Sequence, residues 1–454
     1  MVVTIKFFIY IIFILLASNS YAANNVQLIR DAEIEFFFQR IINNIIKHSN
    51  SKTKKLYPRL ILNPTYNAFV VGTNKIYLHT GLVRNANSID EIQGVLAHEI
   101  GHLLLKHHTT RLIDRKDSSK YSNIAAIAGI ALGLSGNIDP NLATGLIIGG
   151  QDLAIKSQLQ FTRGQETHAD IFALNIMKKS KISYLGLEKL LIKLSEEDFL
   201  NRETKSNYYR SHPFSQSRLE QFKRYKNKKK GKHEKRKFIS FQKNKISLEY
   251  IKNKIRSYED DAFEVVKKKS LKNDFFSHYS LTIAYLKIGK HELAIDNLNI
   301  IKNNYKNYPF FYELAGDIYF NKGNLNKAIE NYKNAIKFLK EDKLASSTLI
   351  QLSLARSFLQ TKELNNVKKA IYLLEELILL ESNWSYLWRL IAQGSGMINN
   401  KGISYIAFAE EAMIKNNFKK AKKYVDIGLR DTSLPISYRL RGNDITARIK
   451  TKKK

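Results

Sequence analysis

The apolar residues between positions 26 and 50 recur on a loosely helical period, and this period predicts a first helix. The residues that carry it are Ile29, Ile34, Phe37, Ile41, Ile42 and Ile45. Two short apolar runs that follow, Leu60–Leu62 and Ala68–Val71, predict strands. Gly72–Asn74 can turn the chain into Lys75–Leu78, so the second run and its successor predict a hairpin.

A longer apolar stretch, Val95–Leu104, predicts a buried helix beside that hairpin. Ser88 followed three residues later by Glu91 is typical of a capping box, so we expect the helix to begin there. Lys106-His107-His108 follow the stretch. Neither histidine returns to the face of His98 and His102, so we interpret both as helix-end residues near the negative dipole end and not as ligands.

The same stretch contains His98-Glu99 and His102, the pattern H-E-x-x-H. Two histidines four residues apart lie on one helical face, so both imidazoles can reach a single ion. Zinc bound by neutral nitrogens lowers the pKa of a bound water towards about 7, and Glu99 is placed to take the proton. The alternative is a pair of histidines at the edge of a core helix.

A third ligand is available downstream, where Glu166 and Asp170 are four residues apart on another predicted helix. Glu166 would complete a His-His-Glu set and leave one coordination position open, as catalytic zinc requires. Asp170 then suits a supporting role, accepting the outer N–H of a ligand imidazole. The alternative for this pair is an exposed acidic helix face.

These motifs resemble the HtpX/BepA family of zinc metallopeptidases in type, order and spacing. The segments that carry the resemblance are Asn67-Ala68-Phe69, Tyr77–Leu82, His98–His102 and Glu166-x-x-Ala169-Asp170. The resemblance implies one zinc per chain and an edge strand near Asn67–Val71 that pairs with extended substrate. A purely structural hairpin is the alternative for that strand.

The resemblance also extends to His212-Pro213, with Arg218 six residues after the histidine. In the family such a loop supplies a histidine that can occupy the open position of the zinc and hold the peptidase off. A histidine on proline-restricted backbone could equally be aimed at a tetrahedral oxyanion. Both roles remain open for His212, and the inhibitory one is favoured in the resting enzyme.

Residues 1–22 contain an apolar core of about ten residues that ends in small residues, with Ser20 and Ala22 at suitable cleavage positions. This pattern predicts a signal peptide, with an uncleaved anchor as the alternative. The chain has no cysteine, so a metal site must use nitrogen and oxygen ligands. We therefore expect an exported, periplasmic protein.

The formal net charge of +33 is large, yet the lysines are spread over the whole chain and no nucleic-acid recognition module is present. Nucleic-acid binding is therefore not expected. A dense basic run at 223–237 cannot bury a core and predicts a linker. Peripheral contact with an anionic membrane surface is a second interpretation of that run.

Residues 124–150 are small and apolar, but their runs are too short to span a bilayer of about 30 Å and polar residues interrupt them. We expect buried or lid-like helices over the site, with an integral membrane protease as the alternative.

The rest of the chain predicts a repeat array. Three positions recur 34 residues later, which is the tetratricopeptide (TPR) period. They are an aromatic residue, a turn glycine and a small alanine: Tyr285, Gly289 and Ala294, then Tyr319, Gly323 and Ala328. Looser units carry Ala355, Phe358 and Ala370, then Ala409, Ala412 and Ala421. Three to five units are expected, and their stacked helices would offer a concave surface to partners. A spacer or dimerisation arm is the alternative.

The sequence thus predicts a mostly α protein: a helical, zincin-type metallopeptidase domain with a small sheet, then an α-solenoid. The expected divisions are a signal peptide at 1–22, the peptidase at 23–222, a basic linker at 223–245 and repeats at 246–454. The resemblance implies clients among misassembled outer-membrane β-barrel proteins and their assembly machinery. A chaperone or scaffold with only occasional proteolysis is the alternative.

Overall fold

The structure is a computed structural model that describes residues 26–49, 56–71, 74–107, 145–148, 162–199, 207–214, 216–228, 238–241, 244–303, 305, 307–340 and 347–451. The expected signal peptide, residues 1–22, lies outside the described residues. Helices dominate in both halves of the chain and one small sheet lies in the first half. The predicted fold class, a helical peptidase domain followed by an α-solenoid, is confirmed.

The sheet has five strands in the order β3-β4-β2-β1-β5. Their bounds are β1 Val26–Ile29, β2 Tyr57–Ile61, β3 Ala68–Val71, β4 Lys75–His79 and β5 Gly145–Ile148. Strands β3 and β4 are antiparallel neighbours, as the predicted hairpin requires, and β2 runs parallel to β4. Strand β3 is at the edge of the sheet.

The first predicted helix is shorter than expected. Helix α1 spans Ala32–Lys47, and the Asp31 side chain caps it by accepting from the Ile34 amide at 2.9 Å. Val26–Ile29 instead form β1, which pairs with both β2 and β5. Including Ile29 in the helical period was therefore wrong, because β partners on both sides fix this segment as a strand.

Helix α3 lies at the centre of the peptidase half and contacts the sheet and several helices. The helices of this half are α1, α2 Thr80–Asn85, α3 Ile89–Leu104, α4 Arg163–Lys179, α5 Leu185–Asp198, α6 Asn207–Ser211 and α7 Gln216–Lys228. Helix α3 begins where predicted, but the Ser88 side chain makes no capping bond. Glu91 accepts from the Asn87 amide at 2.9 Å instead, so the expected capping box does not form.

Two other predicted segments differ from the structure. Within 124–150 only β5 is described, and it is a strand, so the expectation of helices was wrong for these four residues. The remainder of 124–150 lies outside the described residues. The expected linker at 223–245 also contains regular structure: α7 continues to Lys228, and β6 Phe238–Phe241 pairs with β7 Asn244–Ser247.

The second half is an array of paired helices. They are α8 Leu248–Glu259, α9 Ala262–Lys269, α10 Phe275–Lys287, α11 His291–Lys302, α12 Pro309–Asn321, α13 Leu325–Lys340, α14 Thr348–Gln360, α15 Leu364–Leu380, α16 Ser385–Met397, α17 Lys401–Ile414, α18 Phe418–Gly428 and α19 Ile436–Thr451. Gly289 and Gly323 turn the chain between paired helices with φ of 73° and 82°, a region that glycine adopts without strain.

The two halves share one hydrophobic core and two buried polar contacts. In the first, Lys254 of α8 lies 2.7 Å from Glu33 and 2.8 Å from Asp31, and Tyr279 and Tyr308 also donate to Glu33. The second joins the sheet to the end of α15, where Arg59 and Glu381 form a buried ion pair. Separating the halves at either contact would leave buried charges without their partners, which is costly.

In the part of the chain that the structure describes, no helix combines the length and apolarity that crossing a bilayer would need.

Candidate active site

Two glycines bring the helices of the site close together. A Cβ on Gly94 would lie 2.6 Å from the Leu187 backbone nitrogen, and one on Gly101 would lie 3.1 Å from the Ala169 carbonyl oxygen. Helix α3 can therefore pack tightly against α5 on one side and α4 on the other. This approach places the first turn of α4, with Glu166, opposite the histidines of α3.

His98, His102 and Glu166 converge on one point. The two Nε2 atoms lie 3.0 Å apart, and each is 3.3 Å from a carboxylate oxygen of Glu166. All three side chains are fully buried. Tetrahedral zinc ligands at about 2.0–2.1 Å from the metal are about 3.3 Å from one another, so these separations fit such an ion.

The electrostatics of this point favour a cation. Burial opposes protonation of His98, but the carboxylates of Asp170 and Glu166 outweigh it and raise the pKa of His98 to about 10. Burial likewise opposes ionisation of Glu166, yet His212 and Arg218 hold the pKa of Glu166 well below its usual value. Carboxylates that stabilise a proton on a buried imidazole also stabilise a metal cation at the same place. The residues therefore fit a divalent metal.

Asp170, for which the sequence predicted a supporting role, lies behind His98. Its Oδ1 is 2.9 Å from His98 Nδ1, the ring nitrogen that faces away from the donor cluster. Arg218 donates to both oxygens of Asp170, at 2.7 and 3.0 Å, and lies 2.9 Å from Glu166 Oε2. This arginine therefore fixes the two carboxylates relative to each other.

Arg218 also holds the segment that carries His212, since its guanidinium donates to the Pro213 carbonyl at 3.0 Å. His212 follows the short helix α6 and is 1% exposed. Its Nδ1 lies 3.3 Å from His98 Nε2 and 3.1 Å from Glu166 Oε1. His212 thus joins the cluster as a fourth nitrogen or oxygen donor, with all four donor atoms within 4.8 Å of one another.

Glu99 is fully buried beside this cluster. Its Oε1 accepts from the Tyr208 hydroxyl at 2.9 Å and lies 3.4 Å from His212 Nε2. Its Oε2 has no hydrogen-bond partner among the described residues. Burial raises the pKa of Glu99, although His212 and His98 partly counter it. A raised pKa suits a carboxylate that must take up a proton near neutral pH.

The predicted substrate strand, β3, borders the helix that carries His98 and His102. Strand β3 packs against α3, and the Asn67 carbonyl before it accepts from the His79 amide at 3.0 Å. Ala68 is buried and Phe69 stacks on Tyr77 with ring centroids 5.3 Å apart. Asn67, Ala68 and Phe69 are outside the donor cluster, and among the described residues no strand pairs with the outer edge of β3.

Three residues at the site had no assigned role in the sequence. Tyr208 bonds Glu99 and stacks on His212 with centroids 4.4 Å apart. Arg218 was noted only for its spacing from His212. His107, interpreted as a helix-end residue, does follow the end of α3, but its Nδ1 lies 3.0 Å from His102 Nδ1.

The sequence comparison agrees with this geometry. Residues 35–226 match the description "Peptidase family M48". Over this segment the chain is similar to M48 peptidases. The matched segment includes the whole donor cluster and Glu99, and the similarity supports a metalloendopeptidase that uses a divalent metal.

The similarity to known proteins extends beyond this segment. The β-barrel assembly-enhancing protease of Escherichia coli (strain K12) is 21% identical over 386 residues, which are 85% of this chain and 77% of the relative. The protein of the same name from Yersinia pestis is 21% identical over 408 residues, 87% of this chain and 79% of the relative. Both alignments continue well into the helical repeats.

Among solved structures, the Cut9-Hcn1 hetero-tetramer of APC/C matches 76% of this chain and 64% of its own at 13% identity, with a TM-score of 0.34. The solenoid is evident from the successive helix pairs of this chain, each of which packs on the next.

Proposed function

We propose that the protein is a zinc-dependent endopeptidase of the bacterial periplasm. Zinc would be held by His98, His102 and Glu166, and Glu99 would act as the general base. The observation that carries this proposal is the cluster of three buried donors at mutual distances of 3.0–3.3 Å with Glu99 beside it. A nitrogen and oxygen donor set with no cysteine suits catalytic zinc.

The residues around the point where His98, His102 and Glu166 converge carry out most steps of the proposed mechanism. Zinc bound there would polarise the scissile carbonyl and lower the pKa of water to about 7. Glu99 takes the proton of the attacking water through Oε2, because Oε1 is engaged by Tyr208. Tyr208 thereby fixes the orientation of the carboxylate. An extended substrate would add to the edge of β3, where main-chain pairing tolerates varied sequences.

His212 would hold the resting enzyme inactive. Its Nδ1 lies within the donor cluster, so a fourth neutral imidazole can take the position that water needs. Activity then requires the His212 segment to move, and client docking on the repeats can bias that equilibrium. Replacement of His212 by alanine should therefore raise basal cleavage or self-cleavage. A loss of about 10²- to 10³-fold in rate would instead support an oxyanion role.

The proposed clients are outer-membrane β-barrel proteins that have misassembled, together with their assembly machinery. This part rests on similarity to the two relatives, both of them β-barrel assembly-enhancing proteases. The repeats would recruit such clients through their stacked helices. Export through residues 1–22 would place the enzyme in the periplasm, which cell fractionation and N-terminal sequencing of the mature protein would test.

The central experiment compares wild type with Glu99→Gln for zinc content and casein cleavage. Glutamine keeps the shape of Glu99 but cannot accept the proton, so the variant should retain about one zinc per chain and lose cleavage. A Glu99→Gln protein with near-normal turnover would refute the assigned base. Wild type without zinc would refute the metal site.

A chaperone or scaffold that cleaves only occasionally is the second candidate. The large helical array supports it, because the repeats occupy about half of the chain. Assays of outer-membrane assembly with Glu99→Gln separate the two. Full support of assembly by this variant would favour the scaffold, whereas loss of assembly quality control would favour the peptidase.

A further inference from the structure

The two histidines of the metal site have different partners behind them. His98 Nδ1 faces the Asp170 carboxylate at 2.9 Å. His102 Nδ1 faces another imidazole, that of His107, with the two Nδ1 atoms 3.0 Å apart. His107 is only 7% exposed, so this contact is shielded from water.

The chain makes this contact through a sharp reversal at the end of α3. The helix ends at Leu104, and Lys106 takes a φ of 58°, in the left-handed region that a lysine rarely adopts. A residue held there is strained and persists only where its surroundings fix it. The reversal returns the fifth residue after His102 to the ring of His102, a position that continued helix would not reach.

The direction of the hydrogen bond follows from the orientation of His102. Its Nε2 faces His98 and Glu166, so this is the nitrogen that a metal would take. A neutral imidazole bound through Nε2 carries its proton on Nδ1 and must donate from there. His107 Nδ1 is the atom that receives this bond, so His107 has to be neutral with its own proton on Nε2.

We propose that His107 is a positioning residue for the metal site, which accepts a hydrogen bond from His102 and fixes its ring orientation and tautomer. The inference rests on the proposed zinc site. Outer partners of this kind are typically worth about 10- to 100-fold in metal affinity. An imidazole adds no negative charge behind His102, whereas Asp170 already places one behind His98.

The first test measures zinc affinity by competition with a chelator for wild type, His107→Leu and His107→Gln. Leucine removes the acceptor, and we expect zinc binding to weaken about 10- to 100-fold. Glutamine can accept through its side-chain oxygen and should recover most of the affinity. His291→Leu, a change in the distant helix α11, is the matched control and should bind zinc as wild type does.

Thermal unfolding of the zinc-stripped proteins separates loss of the contact from loss of the fold. The three zinc-stripped variants should unfold within a few degrees of wild type. Affinity of His107→Leu within twofold of wild type would overturn the proposal while leaving the zinc site intact. Failure of wild type itself to bind zinc would overturn both.

A second measurement needs no substitution. Nitrogen-15 NMR of selectively labelled histidine distinguishes the two neutral tautomers, and the chain has 11 histidines to resolve. In zinc-loaded wild type, His107 should carry its proton on Nε2 and His102 on Nδ1, with His107→Gln used to assign the signal. A proton on His107 Nδ1 would contradict the proposal, even if His107→Leu fails to fold.

Discussion

The buried contacts of Lys254 and Glu381 with the peptidase half form the joint between the two halves of the protein. Replacement of Lys254 by methionine should break one of these contacts and destabilise the whole protein. Lys254 Nζ lies 2.7 Å from Glu33 and 2.8 Å from Asp31, and none of the three side chains is more than 6% exposed. Burial opposes the charge on Lys254, but Asp31 and Glu33 outweigh it and raise the pKa of Lys254. The lysine is therefore charged throughout the physiological pH range.

The magnitude follows from what Lys254→Met leaves behind. Two carboxylates would stay buried with no cation, and breaking a buried pair in this way costs about 3–5 kcal/mol. Tyr258 still donates to Asp31, and Tyr279 to Glu33, so we expect the lower end, about 3 kcal/mol. That value is a change of about 150-fold in the folding equilibrium.

Lys268→Met is the matched control, because its ion pair with Glu264 is exposed on both sides, at 72% and 53% of the side chains. An exposed pair of this type is worth at most about 1 kcal/mol. Urea unfolding followed by tryptophan fluorescence suits the comparison, since Trp384 stacks 4.4 Å from Arg30 across the joint. A loss below about 1 kcal/mol for Lys254→Met, or a loss equal to that of Lys268→Met, would refute the reasoning.

Three further predictions concern the site and the repeats. Asp170→Asn should weaken zinc binding about 10- to 100-fold in a chelator competition, and unchanged affinity would remove Asp170 from the site. Tyr208→Phe should lower kcat for casein more than it changes KM, because Glu99 loses the hydroxyl that orients it; equal kcat values would contradict this role. Burial raises the pKa of Asp317 from 3.8 to about 6, although Tyr332 and Arg356 partly counter it. Between these two pH values the folded protein binds a proton that the unfolded chain does not. The free energy of unfolding therefore falls as pH rises from about 4 to about 6. Asp317→Asn should therefore stabilise the protein by about 1–3 kcal/mol at pH 7.5 and by little at pH 4, as urea midpoints at the two pH values would show.

The catalytic helix could be predicted from sequence because its chemistry is local. His98 and His102 are one helical turn apart, and no other element is needed to put them on one face. Glu166 could be predicted as a candidate metal ligand in the same way, because its four-residue spacing from Asp170 puts both carboxylates on one helix face. Tyr208 and His107 could not, because each reaches the site through a chain reversal whose geometry depends on what packs around it.

The repeats were clearest in the sequence where glycine marks the turn, and the looser units were recognised only from their alanines and one phenylalanine. Gly289 and Gly323 gave the period, but the later turns use Lys362, Asn399 and Asn416 in the same left-handed conformation, with φ of 57–59°. Packing on both flanks supplies what glycine supplies by itself elsewhere. The degenerate units therefore keep the left-handed turn conformation without the glycine that would identify it in the sequence.

The sequence predicted a peptidase domain and a repeat domain on either side of a basic linker, but it gave no sign of the buried contacts between them. Glu33 belongs to the first helix of the peptidase half, yet its charge partner is Lys254, 221 residues later. No local sequence pattern predicts such a pairing, because each residue alone would be interpreted as an ordinary surface charge. The two halves should therefore fold and unfold in a coupled way.

The joint also limits which peptide bonds of a docked client the enzyme can cleave. Lys254 and Glu381 bind the peptidase half at two separate places in the array, α8 and the end of α15, so this part of the solenoid cannot rotate freely about a linker. A client held on the solenoid would then present its chain to Glu99 at a set distance from the point of capture. The distance from the docking point would then determine which peptide bond is cleaved, and the sequence around that bond would matter little.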